Sequence, residues 1–291
     1  MSLLREALEK GEFVVTSEIG PPKGINLEPA MKEAEELKKR VTAINVTDNQ
    51  ASVMRFGSLA ACRLLVERKI EPVFQLVCRD RNRIALQSDL LSAAGLGIEN
   101  VLCLSGDHPF AGDHPEAMPV YDLDSVQLLQ IAKGLTEGKD MMGNELDGSP
   151  KFFLGAVVTP EADPIEPHII RMEKKVEAGA QFFQTQPVYD VEHFKRFLDK
   201  VKHINTKILA GIVLLKSSKM AEYMNKNVAG VFVPQNLIDE MASVSKEDRP
   251  KKSIEISAHI IKEVKSLCPG VHIMPLGWDK YVIPILDSAG L

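Results

Sequence analysis

Ser105-Gly106-Asp107 closes Val101-Leu102-Cys103-Leu104, four apolar residues in a row that suit a strand buried on both faces in a helix-covered parallel sheet. Strand ends carry function in such folds. A carboxylate just past one, beside a glycine that lets a ligand approach the backbone, is a candidate site residue; the plain alternative is that Asp107 only caps a turn. Glu18 is placed in the same way, at the end of an apolar stretch over 13–19 that Gly20-Pro21-Pro22 stops, since neither proline donates to a ladder. Thr47, Gln75, Thr159 and Gln186 fall at or just past four further stretches of this kind. The chemistry on offer is that of carboxylates and amides. Two Asp-His pairs, Asp107-His108 and Asp113-His114, have ligand types for a metal, but paired ligands usually come from regular elements or tighter spacing, and a solvated loop without metal is expected.

The elements that must position these residues alternate. Strands are expected over 13–19, 43–47, 71–78, 101–104, 152–158, 181–185, 207–215 and 271–276. Helices are expected over 27–40, 57–69, 82–94, 124–136 and 166–177, and from Asp190 onward, with Asn82 and Asp190 as N-caps. Gly95-Leu96-Gly97 precedes a strand instead of following one and lacks a third glycine, so it reads as a helix C-cap and not a dinucleotide loop. The glycine-rich excursion over 138–150 reads as a surface loop or small hairpin. Roughly eight strand-helix units predict an α/β fold, a (β/α)8 TIM barrel formed by one domain over 1–291 with a short packed N-terminal helix, the alternative being a doubly wound open sheet. A barrel gathers the polar strand ends into one acidic, amide-lined mouth.

Composition narrows the classes. Among 291 residues, 45% are hydrophobic and 26% charged, and no apolar run reaches membrane-spanning length. Net charge is -5 with a pI near 5.9, and lysine and arginine are interspersed with glutamate, which argues against a nucleic-acid partner. Cys62, Cys78, Cys103 and Cys268 form no C-x-x-C pair, so a reducing cytoplasm is expected.

The same residues resemble the methylenetetrahydrofolate reductase family, over nearly the whole chain and in order. Ser17-Glu18-Ile19-Gly20-Pro21-Pro22 is similar to its Glu-Phe-Phe-Pro-Pro, Asn45-Val46-Thr47 to its Ser-Val-Thr, and Leu104-Ser105-Gly106-Asp107 to its Leu-Arg-Gly-Asp. Lys175-Val176-Glu177-Ala178-Gly179-Ala180 and Thr185-Gln186 resemble its Lys-Val-Asp-Ala-Gly-Ala and Thr-Gln. The resemblance implies flavin-dependent reduction of 5,10-methylenetetrahydrofolate to 5-methyltetrahydrofolate, with Glu18 as general acid and Asp107 and Gln186 holding the pterin. It implies flavin contacts at Thr47, Gln75, Ser105, Gly106, Asp107, Tyr121, Thr159, Asp163, His168 and Lys175, with FAD as cofactor and FMN as the alternative. Acting as an acid near neutral pH requires burial or a like-charged neighbour, and Asp107 is the expected neighbour of Glu18.

The departures fall mostly around the electron donor. Gln75 stands where the family often has histidine, Asp163 and His168 stand near its His and Asp, and Leu276-Gly277-Trp278 replaces Leu-Asn-Arg. Met220 and Met224 replace Gln and Phe. NADH, NADPH or a redox protein partner are therefore all carried as donors, with a homo- or hetero-oligomer expected. Two other readings stay open: a non-catalytic flavoprotein electron-transfer subunit, and a flavin-free lyase or aldolase using Lys216 as a Schiff-base lysine.

Overall fold

The structure, a computed structural model, describes residues 2–291. Eight parallel strands close in chain order: β1 (Val14–Ile19), β2 (Ala43–Val46), β3 (Pro72–Val77), β4 (Asn100–Leu104), β5 (Phe153–Val158), β6 (Phe182–Pro187), β7 (Lys207–Val213) and β8 (Gly270–Met274). This is the expected (β/α)8 barrel. The open sheet is overturned because β8 pairs with β1, Thr16 lying opposite His272.

The covering helices are α1 (Leu3–Lys10), α2 (Glu28–Leu37), α3 (Ser58–Glu67), α4 (Arg83–Gly95), α5 (Ser125–Thr136), α6 (Glu166–Glu177), α7 (Val191–Val201), α8 (Ser218–Asn227), α9 (Gln235–Ala242), α10 (Arg249–Val264) and α11 (Val282–Ala289). Asn82 accepts from the N–H groups of Ile84 and Ala85, and Asp190 from that of His193, as N-caps do. Gly97 follows α4 at φ +83°, where a side chain would be strained. Residues 138–150 make a small hairpin, with Lys139 bridged to Glu145. The stretch between β7 and β8 holds three helices, so the simple strand-helix alternation breaks there. No described helix is long and apolar enough to cross a membrane.

Side chains two apart on a strand share a face, so the barrel interior is built in storeys. The lowest is apolar: Val14, Ala43, Val73, Leu102, Phe153, Phe182 and Leu209 pack with Leu4, Ala7 and Leu8 of α1, which plugs the floor. Phe153 and Phe182 stack at 4.8 Å, and a Cβ on Gly155 would lie 2.3 Å from the Phe182 ring, so only glycine fits beneath it. Leu4 and Leu8 are fully enclosed, each burial contributing roughly 1.5–3 kcal/mol. Ser2 caps the N-terminus of α1, and the Glu71 carboxyl accepts from Asn100 Nδ2 at 2.8 Å. Two residues further along five of the strands, the storey turns polar: Thr16, Asn45, Gln75, Gln184 and His272, all buried. Two further still come Glu18 and Thr47 at the mouth.

Candidate active site

Glu18 is 6% exposed at the end of β1. Burial is the main reason its carboxyl is pushed up to about 7; a hydrogen bond from Gln50 Nε2 to Oε1 (3.3 Å) opposes the shift, and the negative charge of Asp279 adds to it. The like-charged neighbour is thus Asp279, in the turn after β8, and not Asp107 as expected from the sequence. Gln50 reaches the acid from a turn in which Asn49, Ala51 and Ser52 all have positive φ (46°, 54° and 57°). Such backbone persists only when surrounding structure holds it. Here Arg79, itself 2% exposed and paired with Asp80, donates to the Asn49 carbonyl and the Ser52 hydroxyl.

Beneath Glu18 lies His272, whose Nε2 is 3.8 Å from Glu18 Oε2 and whose Nδ1 is 2.9 Å from Thr16 Oγ1. Enclosure pulls this imidazole down to about 3, so it is neutral at physiological pH. Gln184 donates to Thr16 Oγ1 (3.3 Å) and exchanges two hydrogen bonds with the Asn45 amide (2.8 and 3.1 Å). The acid therefore stands on a ring of fixed, uncharged polar groups.

The opposite side is built differently. A cavity of about 290 Å³ brings together Ser105, Thr159, His168, Lys175 and Gln186, with Arg171 beside them. Lys175 reaches in from α6, is 8% exposed, and donates to the Val157 carbonyl at 2.6 Å. Burial, then the nearby Arg171 charge, brings its ammonium down to about 8. Among the described residues no carboxylate lies within ion-pair distance of it. Ser105 and Tyr121 also line a second hollow of about 470 Å³ with Lys174. The Tyr121 hydroxyl donates to the Gly106 carbonyl (3.0 Å), and Gly106, at φ +86°, lies so close to Val77 and Arg79 that a Cβ would meet them at 3.1 and 3.2 Å.

Thr47 is buried just past β2, its N–H donating to the Ile19 carbonyl, whereas Gln75, expected at a strand end, is buried inside β3, which runs on to Val77. Asp107 is exposed; its carbonyl accepts from Ser52 Oγ (2.7 Å) and Arg79 Nη1 (3.2 Å). Asp163 is exposed and lines neither hollow. Lys216 donates to the Leu276 carbonyl and lies 5.7 Å from the Trp278 ring, tying two rim loops together. Asp113 of the second Asp-His pair is engaged by Lys23, by His114 and by the Met54 N–H. A larger hollow, of about 760 Å³, lies between α7, α9 and α10 and holds none of the candidate site residues.

Sequence reasoning passed over Thr16, Asn45, Gln50, Gln184, His272 and Asp279 as functional groups. The signal was present for four of them: Thr16, Asn45 and Gln184 sit two residues before Glu18, Thr47 and Gln186, and His272 lies inside an apolar strand. A polar residue two before a site residue on a barrel strand lies on the same inner face.

Compared with known proteins, residues 3–290 match the family model described as methylenetetrahydrofolate reductase. Methylenetetrahydrofolate reductase 2 of Schizosaccharomyces pombe is 24% identical, over 99% of this chain and 47% of that protein. Methylenetetrahydrofolate reductase (NADH) 1 of Arabidopsis thaliana is 25% identical, over 99% and 50%. The 5,10-methylenetetrahydrofolate reductase of Pectobacterium carotovorum is 26% identical over 75% of this chain and 72% of that one. The chain thus spans about half the length of the first two. Among solved structures, an uncharacterized protein from Clostridium thermocellum that binds two copies of 5-methyl-5,6,7,8-tetrahydrofolic acid superimposes with a TM-score of 0.66 at 21% identity, covering 99% of this chain and 98% of that one. A 2,3-dimethylmalate lyase, at 11% identity and a TM-score of 0.52, shares the barrel alone.

Proposed function

We propose, from the premise that the chain belongs to the methylenetetrahydrofolate reductase family, that it reduces 5,10-methylenetetrahydrofolate to 5-methyltetrahydrofolate with the help of a bound flavin. The observation that carries the reading is Glu18: a carboxyl enclosed at the mouth and pushed up to about 7 can hold a proton at neutral pH and give it away. Protonating N10 breaks its bond to the bridging carbon and leaves an iminium at N5; a hydride then converts that carbon to methyl. Asp107 and Gln186 hold the pterin in this scheme, fixing the ring nitrogen within reach of the acid. The 5-methyl-5,6,7,8-tetrahydrofolic acid bound by the Clostridium thermocellum protein, a molecule of the proposed product's class, supports this reading.

No side chain carries a hydride, and a flavin, when bound, supplies one. The residues fit such a group. Lys175 is a buried cation bordering a cavity and bonded to a backbone carbonyl, and Arg171 and His168 line the same cavity, which suits cofactor phosphates. Ser105, Gly106, Tyr121, Thr159, Asp163, Thr47 and Gln75 are the further proposed contacts. Two phosphates use this basic edge better than one, so FAD is preferred and FMN is the alternative.

NADH or NADPH is proposed as reductant, with a redox protein as the other donor; relatives' names carry NADH in three cases and NADPH in one. Met224 is buried in the core, which leaves the half-buried Met220 to pack a nicotinamide less rigidly than an aromatic platform, so reduction by either nucleotide is expected to be slow. Stopped-flow bleaching of the flavin checks this, and bleaching fast enough to sustain turnover removes the need for a protein donor. An oligomer in a reducing cytoplasm is the proposed setting, consistent with four buried free cysteines.

The central test is a spectrum and one half-reaction. The purified chain should be yellow, or become so on reconstitution, and its photoreduced flavin should be reoxidised by 5,10-methylenetetrahydrofolate. A protein that takes up no flavin overturns the assignment. Flavin uptake without folate reduction would favour the electron-transfer subunit.

A further inference from the structure

The storey beneath Glu18 has a direction. The Thr16 hydroxyl has one proton and two acceptors in reach, the Val271 carbonyl at 3.4 Å and His272 Nδ1 at 2.9 Å, and one of its lone pairs is already taken by Gln184 Nε2. If that proton goes to Val271, Nδ1 must carry the ring hydrogen and donate it to Thr16, which leaves a bare lone pair on Nε2 facing Glu18. If it goes to Nδ1, the ring hydrogen sits on Nε2 and points at the carboxyl. The two arrangements have opposite consequences: the first receives a protonated acid, and the second holds the anion.

We propose that His272 is a positioning residue for Glu18, held as the Nδ1–H tautomer by Thr16, so that its Nε2 lone pair parks the proton of the acid before the proton is delivered to the folate. The inference rests on reading Glu18 as the proton donor. Three observations favour this direction. The His272 side chain is 4% exposed and Glu18 7%, so no solvent competes for the proton in the resting site. The separation of 3.8 Å is closed by a small rotation of the carboxyl, which lets Glu18 alternate between the imidazole and the mouth. The surroundings also suit a neutral pair. On β7 the neighbour of His272 is Gly211, which has no side chain; on β1 it is Thr16; Gln184, Asn45 and Gln75 complete the storey, and the carboxyl of Asp279 beyond Glu18 disfavours a second anion. Burial, which raises Glu18 and lowers His272, acts in the same sense.

The test reads the tautomer first. Nitrogen NMR of the 15N-histidine-labelled chain, with His272 assigned by its loss in His272→Gln, should show a neutral ring protonated on Nδ1 at pH 7. Thr16→Val keeps the shape and removes the acceptor, so the ring should turn over to Nε2–H and donate to the carboxylate. In the flavin-loaded protein, this stabilises the anion of Glu18 and lowers the pH midpoint of the folate half-reaction by about one unit. The rate above that midpoint should fall roughly tenfold, while flavin reduction is unchanged. A merely structural threonine would not move the midpoint. An Nε2–H or doubly protonated ring in the unaltered protein overturns the inference, as does a midpoint that stays put or rises in Thr16→Val. The tautomer measurement uses neither folate nor flavin, so a chain that fails to reduce folate overturns the proposed activity while the NMR result still decides this point.

Discussion

The two sides of the barrel mouth solve different problems. On the β1–β2–β8 side, Glu18 stands on His272, Thr16 and Asn45, with Gln184 reaching across from β6, and their hydrogen bonds are made from strand to strand before any ligand arrives. On the β4–β5–β6 side, Lys175 has only a carbonyl for a hydrogen-bond partner among the described residues, and the polar groups around it come from loops, helix faces and, for Gln186, the end of β6. Preorganisation is concentrated where a proton must move, since misplacing a proton donor raises a barrier directly. The other side keeps its charge unneutralised for a ligand that brings its own negative charge.

The sharpest way to break this contrast is Glu18→Gln. Loss of a general acid should lower folate reduction by roughly 10² to 10⁴-fold and leave flavin binding intact. Rapid-mixing measurement of each half-reaction checks it; equal losses in both would make Glu18 structural. In the unaltered protein the same half-reaction should decline as pH rises through about 7, where the acid loses its proton.

Stability offers the next largest effect. The folded carboxyl of Glu18 is raised from 4.5 to about 7, so its neutral form favours folding fully below 4.5, and that contribution is lost as pH rises through about 7. Glu18→Gln carries no such loss. Its stability relative to the unaltered protein should therefore improve between pH 4 and pH 8, by of order 3 kcal/mol. Denaturant titrations at the two pH values measure this, and a flat difference would show that the acid is solvated. The smallest change is expected on the opposite side. Lys175→Met should weaken flavin binding by roughly ten- to a hundredfold, the worth of one charge-assisted hydrogen bond, and leave the pH midpoint of folate reduction in place. Ultrafiltration of released flavin reads the first effect, and a displaced midpoint would mean that the two sides are coupled.

Much of this was legible in the chain. Alternating buried runs and caps at Asn82 and Asp190 placed most of the strands and helices, because hydrophobic period and capping are local properties. The mouth residues followed, since strand ends are marked by Gly20-Pro21-Pro22 and Ser105-Gly106-Asp107. The neighbours of Glu18 were harder to see. Asp279 and His272 are more than 250 positions away in sequence, and only closure of β8 on β1 brings them near. Gln50 reaches Glu18 through left-handed backbone that Arg79 holds, and nothing in Asn49-Gln50-Ala51-Ser52 announces it. Between β7 and β8 the sequence alternation failed because α8, α9 and α10 follow one another without a strand to separate them.

The floor plug sets an order in time. Leu4, Ala7 and Leu8 of α1 seat against β1 but also against Phe182 of β6 and Leu209 of β7, about 200 residues further along. During synthesis α1 leaves the ribosome ahead of every strand it touches, and its apolar face has no seat until the ring behind it is nearly complete. Contacts so distant in sequence form late. The helix made before the barrel is therefore the stopper fitted after it, and until then its leucines are a greasy, unattended surface for chaperones to find.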